Sequence, residues 1–355
     1  MARLSEIGEN LRRALSGKAV GGVGRQGYAD YASAIRGAEL EIHVPISPTP
    51  LFFNMVRYLA ESLRQNGGRL RDTPIVVTVG DSCAPFDLHR RNPWSRAYPI
   101  HWVWLDQHRY ARDIYYATAI ERFCYPFVAD NVLLLDADLV IARPFDDLVG
   151  ELGRAPAFLG LPAHVSPFMM RNREHPDAAR PNAVWWTALF AEAGLSAPDF
   201  GCEHPGWGLL FSDPEYRYSP PYFNLGVLLA PRDLMATIGG SIYEDMHTVD
   251  RVLTTIYRCQ LALTLAVVRS GARWRPLPLR YNFPTLDVFA KGFPEEFADV
   301  RMLHYLGQEG FSKQRDFSSP SAIRTFLKRT DLSLANGLLQ GVARPLQAAL
   351  DGGKH

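Results

Sequence analysis

The chain has 355 residues, 47 % hydrophobic and 21 % charged, enough for one large globular domain or two small ones. Its formal net charge of +1 gives no global field that would favour nucleic acid or an anionic membrane as a partner. Cys83, Cys124, Cys202 and Cys259 show no paired spacing, and no segment approaches the roughly 20 apolar residues of a membrane span, so the composition predicts a soluble, cytoplasmic protein without a zinc site or disulfide framework.

Residues 1–38 read as a polar lead-in. MARLSEIGENLRRALSG has amphipathic spacing and lacks the apolar core of a signal peptide. VGGVGRQG follows no strand and opens no strong helix, so it reads as a linker and not as a phosphate loop. From Glu39 the pattern sharpens. LEIHVPIS predicts a strand, followed by a helix from about Leu51 to Gln65; TPIVVTVGD and PIHWVWLD predict the second and third strands. Residues 109–128 predict a helix, and NVLLLDADLVI a fourth strand. Strands alternating with helices imply an α/β fold, a mostly parallel sheet with flanking helices, whose ligands lie beyond the carboxyl ends of the strands.

Residues 150–220, rich in Pro, Gly, Trp and His, read as a long irregular insertion with a helix at Val184–Ala193. Regular structure returns with YFNLGVLLAPRD as a strand, a helix at about 243–270, then RWRPLPLRYNFP and RMLHYLG. The tail, DLSLANGLLQGVARPLQAALDGG, predicts a pair of amphipathic helices broken by Pro345. Such a pair can dock on the body or touch a partner or a membrane surface.

Asp136 and Asp138 stand inside an apolar run, where isolated ionised carboxylates are costly unless a cation meets them. In an extended segment residues i and i+2 point the same way, so the two can address one ion or one reacting group. The bland reading is a turn cap beside a surface carboxylate. Two functional readings compete with it. In one, both carboxylates hold Mg²⁺ or Mn²⁺, which grips the diphosphate of a nucleotide. In the other, Asp136 is the nucleophile and Asp138 the acid/base of a phosphatase similar to the haloacid dehalogenases, whose signature Val140 also satisfies. That family needs a later lysine, for which only Lys291 is suited, and a later acidic pair that the sequence does not offer.

Four segments, in order, carry a more specific resemblance: LLLDADLVIARPFDDL, YFNLGVLLAPRDL, CQLALTLAVV with WRPLPLRYN, and HYLG. Over residues 39–315 the chain resembles the nucleotide-sugar glycosyltransferases of the GT-A fold. Within these it is similar to the retaining group of glycogenin and the lipopolysaccharide galactosyl- and glucosyltransferases. The resemblance implies transfer of a sugar from a nucleotide-sugar donor, a UDP-sugar in most relatives, to a saccharide, protein or small-molecule hydroxyl. It implies Mn²⁺ (or Mg²⁺) on Asp136, Asp138 and His304. It implies Asn224 and Gln260 at the sugar and acceptor face, with Gln260 beneath the anomeric carbon. Ala137, Gly307 and Lys313 fall at the diphosphate. Val44, Pro45, Ile46, Ser47 and Asp81 frame the base and ribose.

Relatives carry a donor-contacting arginine in the helix before the DxD segment; Arg112 and Arg122 both lie in that stretch here, and Arg112 is assigned the contact. Cys259 stands where relatives carry an acidic residue, which keeps open a third reading, a non-catalytic nucleotide-sugar or glycan binder. Trp185, Trp186 and Trp207, with His164 and His204, offer ring faces and edges for an acceptor, so residues 150–220 form the acceptor side of the domain. Residues 316–355 form the C-terminal helical tail, the candidate for a weak peripheral membrane contact. No nucleic acid is expected, and a homo-oligomer stays open.

Overall fold

The computed structural model describes residues 31–307 and 309–352. The amphipathic helix and linker expected before residue 31 lie outside the described residues. In chain order the principal elements are β1 (Leu40–Ile46), α1 (Pro50–Asn66), β2 (Ile75–Val79), β3 (Ile100–Trp104), α2 (Gln107–Asp113), α3 (Tyr115–Glu121), β4 (Asn131–Leu135) and β5 (Leu139–Ile141). There follow β6 (Phe158–Pro162), α4 (Asn182–Glu192), β7 (Cys202–Glu203), β8 (Tyr218–Ser219), β9 (Phe223–Pro231), α5 (Ile242–Val252) and α6 (Arg258–Arg269). The chain closes with β10 (Trp274–Pro276), β11 (Phe283–Pro284), β12 (Met302–His304) and α7 (Leu334–Gly352).

Seven strands form one sheet in the order β10-β6-β9-β4-β1-β2-β3. β4, β1, β2 and β3 run parallel, β9 is antiparallel to both β4 and β6, and β10 is parallel to β6. This is the α/β architecture expected. β1 and β2 are buried on nearly every residue, as strands covered by helices on both faces must be. The polar exceptions on β1 are paired: Glu41 accepts the Val128 and Ala129 amides and the Tyr31 hydroxyl. α1 starts where Pro50 follows the N-cap Thr49 and stops at Gly67, where a Cβ would lie 2.4 Å from Leu63 O.

Several expected elements differ. The helix of residues 109–128 is two short helices broken at Ile114, whose φ of 50° and ψ of −140° are strained for a β-branched residue. The fourth strand is split. β4 ends at Leu135, and β5 joins a second sheet, β11-β12-β5, so Asp136, Ala137 and Asp138 bridge two sheets. The stretch read as an irregular insertion places β6 inside the main sheet, because FLGLP is buried throughout; α4 is the helix expected there. The helix of residues 243–270 is likewise two, α5 and α6.

The tail is one helix, not a broken pair, with Pro345 inside it. Proline is tolerated because Gly341, whose carbonyl loses its donor, is exposed and can turn to water. The tail docks: Leu339, Ala343 and Leu346 are buried, and the Tyr58 hydroxyl on α1 donates to Gln347. Among the described residues no helix is long and apolar enough to cross a membrane.

Candidate functional site

Asp136 is the first residue beyond β4, and its amide donates to Gly226 O on the neighbouring β9 at 3.0 Å. Two residues on, Asp138 enters the second sheet, where β5 pairs antiparallel with β12 and sets His304 opposite Leu139. The crossing therefore brings a motif and a histidine 166 positions later to one point. Ligand atoms of Asp136, Asp138 and His304 all lie within 4.8 Å of one another. Oxygen or nitrogen ligands on one Mg²⁺-sized ion sit about 3 Å apart when adjacent and about 4.2 Å apart when opposite, so a small side-chain contraction closes the set. Two carboxylates with an imidazole fit a divalent cation.

The charges around them are arranged in pairs. Asp138, 9 % exposed, has His304 Nε2 at 3.2 Å from one oxygen and the Lys313 ammonium on the other. Burial alone would raise the Asp138 carboxyl; His304 and Lys313 overcome it and hold the group well below the usual carboxylate range. Lys313 opens a short helix, Lys313–Asp316, and Gly307, at φ 80°, lies against its backbone. The partner of Asp136 is Arg122, a fully buried arginine whose Nη1 lies 3.0 Å from Asp136 Oδ1. The same guanidinium donates to Leu135 O and Leu225 O, tying α3's end to β4 and β9.

Arg112, by contrast, is exposed and pairs with Asp113 at 2.8 Å. The structure brings Arg122, and not Arg112, to the carboxylates. The signal for Arg122 in the sequence is its place among apolar residues, ERFCYPF, ahead of the motif strand. Lys291, the lysine the phosphatase reading needs, is exposed, and its charge acts on Asp287.

Gln260 lies in the first turn of α6, half-buried, and its Oε1 accepts the Tyr222 hydroxyl at 2.8 Å. Cys259 beside it is buried, and burial pushes its thiol up to about 12, so it is neutral where an acid was expected. Among the described residues, Asp136 is consequently the carboxylate paired with Arg122. Asn224 Oδ1 turns inward to accept the Gly226 amide at 2.7 Å and Asn282 Nδ2 at 3.0 Å. Its own Nδ2 has no protein partner among the described residues.

At the far end of the parallel strands, Val44 and Ile46 are buried in the core, while Pro45 and Ser47 are half-buried. Asp81 follows β2 and accepts from the Cys83 amide at 3.0 Å. These residues share the carboxyl edge of the sheet with the motif.

In the stretch expected to form an acceptor side, Trp185 and Trp186 are instead 4 % and 0 % exposed and belong to the core. Trp185 stacks on Phe168 and is covered by Arg171, 4.1 Å from its centroid. Trp207 is half-buried, with Arg217 at 3.9 Å over its ring. Burial lowers His164 to about 3 and His204 to about 4, so both imidazoles stay neutral. The carboxylates that an inverting reaction could use as a base are engaged: Asp245 with Arg269, Asp250 with Arg258, and Glu203 with Arg217. Asp199 is exposed.

Neither a protein-family model nor a curated protein matches the sequence. Among solved structures the chain is similar to the WbbM bifunctional glycosyltransferase in its apo form, at 13 % identity and a TM-score of 0.46, covering 89 % of this chain. The chain spans about half, 52 %, of that protein's length. It is also similar to the galactosyltransferase LgtC in complex with donor and acceptor sugar analogs, at 14 % identity and a TM-score of 0.48, covering 86 % of this chain and 95 % of that one. A third is mouse xyloside xylosyltransferase 1 in its apo form, at 12 % identity and a TM-score of 0.44, covering 75 % of this chain and 97 % of that one.

Proposed function

We propose that the chain is a metal-dependent glycosyltransferase of the GT-A fold, with residues 39–315 as its catalytic unit. It moves a sugar from a nucleotide-diphosphate sugar, a UDP-sugar by the resemblance, to a hydroxyl acceptor with retention of anomeric configuration. The observation that carries this is the convergence of Asp136, Asp138 and His304 where the two sheets meet, with Lys313 and Arg122 as their counter-charges.

The charge count supports a diphosphate. Two carboxylates offset the charges of Arg122 and Lys313. A divalent cation would add two positive charges, which the two negative charges of a bound diphosphate diester offset, as those of a phosphate monoester would, whereas a bare sugar would leave them uncompensated. An imidazole among oxygen ligands favours Mn²⁺ over Mg²⁺. Such an ion, held by Asp136, Asp138 and His304, supplies Lewis-acid neutralisation of charge building on the leaving diphosphate.

The remaining work falls to the chain's own side chains. Arg122 pairs with Asp136 and holds its carboxylate toward the site. Lys313, which pairs with Asp138 in this structure, would bind a diphosphate oxygen and stabilise its departure if a cation took its place on that carboxylate. Gln260, its amide oriented by the Tyr222 hydroxyl, gives polar, non-basic support beneath the anomeric carbon. Retention on the leaving-group face follows from the resemblance, the departing phosphate oxygen taking the acceptor proton, and Asp245, Asp250 and Glu203 are each held by an arginine. In this reading Asn224 Nδ2, Trp207 and His164 serve the sugar and a saccharide acceptor.

The test is incubation with Mn²⁺ and UDP-, GDP- and TDP-sugars, following nucleotide release by chromatography. Metal-dependent release of UDP from one UDP-sugar is the expected result. No release from any donor, with phosphate liberated from a simple phosphoester, would replace this reading by the phosphatase one.

A further inference from the structure

We infer that Asn224 and Asn282 are positioning residues that fix which nitrogen of His304 faces the carboxylates. The inference rests on the reading of His304 as a metal ligand.

The reasoning starts from a group whose role is unambiguous. The backbone N–H of Gly226 can only donate, and it points at the Asn224 side-chain amide at 2.7 Å. The atom there must be the acceptor, Oδ1. That oxygen also faces the Asn282 amide at 3.0 Å, so the facing atom of Asn282 must be its donor, Nδ2. Asn282 Oδ1 is then turned the other way, onto His304 Nδ1 at 3.0 Å. An acceptor there requires the imidazole to carry its proton on Nδ1. Nε2 is thereby turned to the ligand side, 3.2 Å from Asp138 Oδ1, where it meets that carboxylate in the metal-free chain and would offer its lone pair to a cation set between them.

Each link is locked. Asn282 is 1 % exposed and His304 4 %, so water cannot replace either partner. Reversing the Asn282 amide would set oxygen against oxygen at Asn224. Reversing Asn224 would set NH₂ against the Gly226 N–H. Gly226 closes the chain by anchoring both ends of the site: its N–H fixes the relay, and its carbonyl accepts the Asp136 amide. Metal-bound histidines are oriented in this way by an acceptor on the other nitrogen, and loss of that acceptor costs about 10- to 100-fold in metal affinity.

The test uses nitrogen NMR on full-length protein saturated with Mg²⁺ and labelled at its histidine imidazoles, with His304 assigned by its loss in His304→Gln. The wild type is expected to show Nδ1–H. In Asn282→Leu the Nδ1 proton has no acceptor and the ring is no longer held, so calorimetric Mn²⁺ affinity falls about tenfold or more. Wild-type His304 protonated on Nε2 would overturn the inference without recourse to any variant. So would a folded Asn282→Leu that keeps both Nδ1–H and wild-type Mn²⁺ affinity. A wild type with Nδ1–H that binds no Mn²⁺ supports the relay and overturns the ligand reading of the site, so the two fail separately.

Discussion

Arg122 Nη1 lies 3.0 Å from Asp136 Oδ1, and Arg122 is completely buried while the Asp136 side chain is 32 % exposed. The guanidinium is thus held inside the protein while the carboxylate reaches solvent. Replacing Arg122 by Met removes the donors to Leu135 O and Leu225 O as well as the counter-charge. The expected cost is about 3 kcal/mol, read from the urea unfolding midpoint. Arg122→Lys keeps the charge but not the fork, and should fall between the two. An unchanged midpoint in Arg122→Met would contradict the assignment.

Gly226 has no room for a side chain. A Cβ would meet His304 Cε1 and Nδ1 at 2.7 Å and Asn224 Oδ1 at 2.8 Å. Gly226→Ala must push apart the imidazole and the amide that orient each other. We expect about 1–3 kcal/mol of destabilisation and a loss of Mn²⁺ binding larger than that of a distant variant of equal stability. Calorimetry and unfolding on the same sample separate the two effects.

Trp186 and Trp207 should behave oppositely. Trp186 is fully buried against Phe168 and Tyr222, so Trp186→Ala is expected to cost about 3–5 kcal/mol. Trp207 is half-buried, and Trp207→Ala should lose acceptor use, seen as a raised acceptor KM, with a much smaller shift in melting temperature. Equal destabilisation by both would remove Trp207 from the acceptor face.

His204 supplies a pH dependence. Burial lowers it to about 4 in the folded chain, against about 6.5 unfolded. Between those values the unfolded chain binds the extra proton, so this contribution is fully present above about pH 6.5 and is lost as pH falls toward 4, at about 1.4 kcal/mol per pH unit. Denaturant unfolding at about pH 7 and about pH 5 should show the loss, and His204→Gln should reduce it. Identical slopes in wild type and variant would contradict it.

Much of this was legible in the sequence because apolar runs mark buried strands. LEIHVPI and IVVTV could hardly be anything else, and the motif's place at a strand end followed from the alternating pattern. The split at Asp136–Asp138 was not legible, since Leu139–Ile141 is as apolar as the strand before it and only its partner, β12, reveals the change of sheet. FLGLP was hidden by its irregular surroundings. The choice between Arg112 and Arg122 turned on the break at Ile114, a strained backbone that no local propensity signals. Asn282 escaped notice because its role is defined by residues 22 and 58 positions away.

The most direct test of the central claim is calorimetric binding of UDP with and without Mn²⁺, with GDP and TDP as controls and Asp138→Asn as the variant. The account predicts UDP binding that requires Mn²⁺ and is lost in Asp138→Asn while the fold persists. Wild-type protein that binds no nucleotide in either condition, or a variant that binds UDP as well as the wild type, would contradict it.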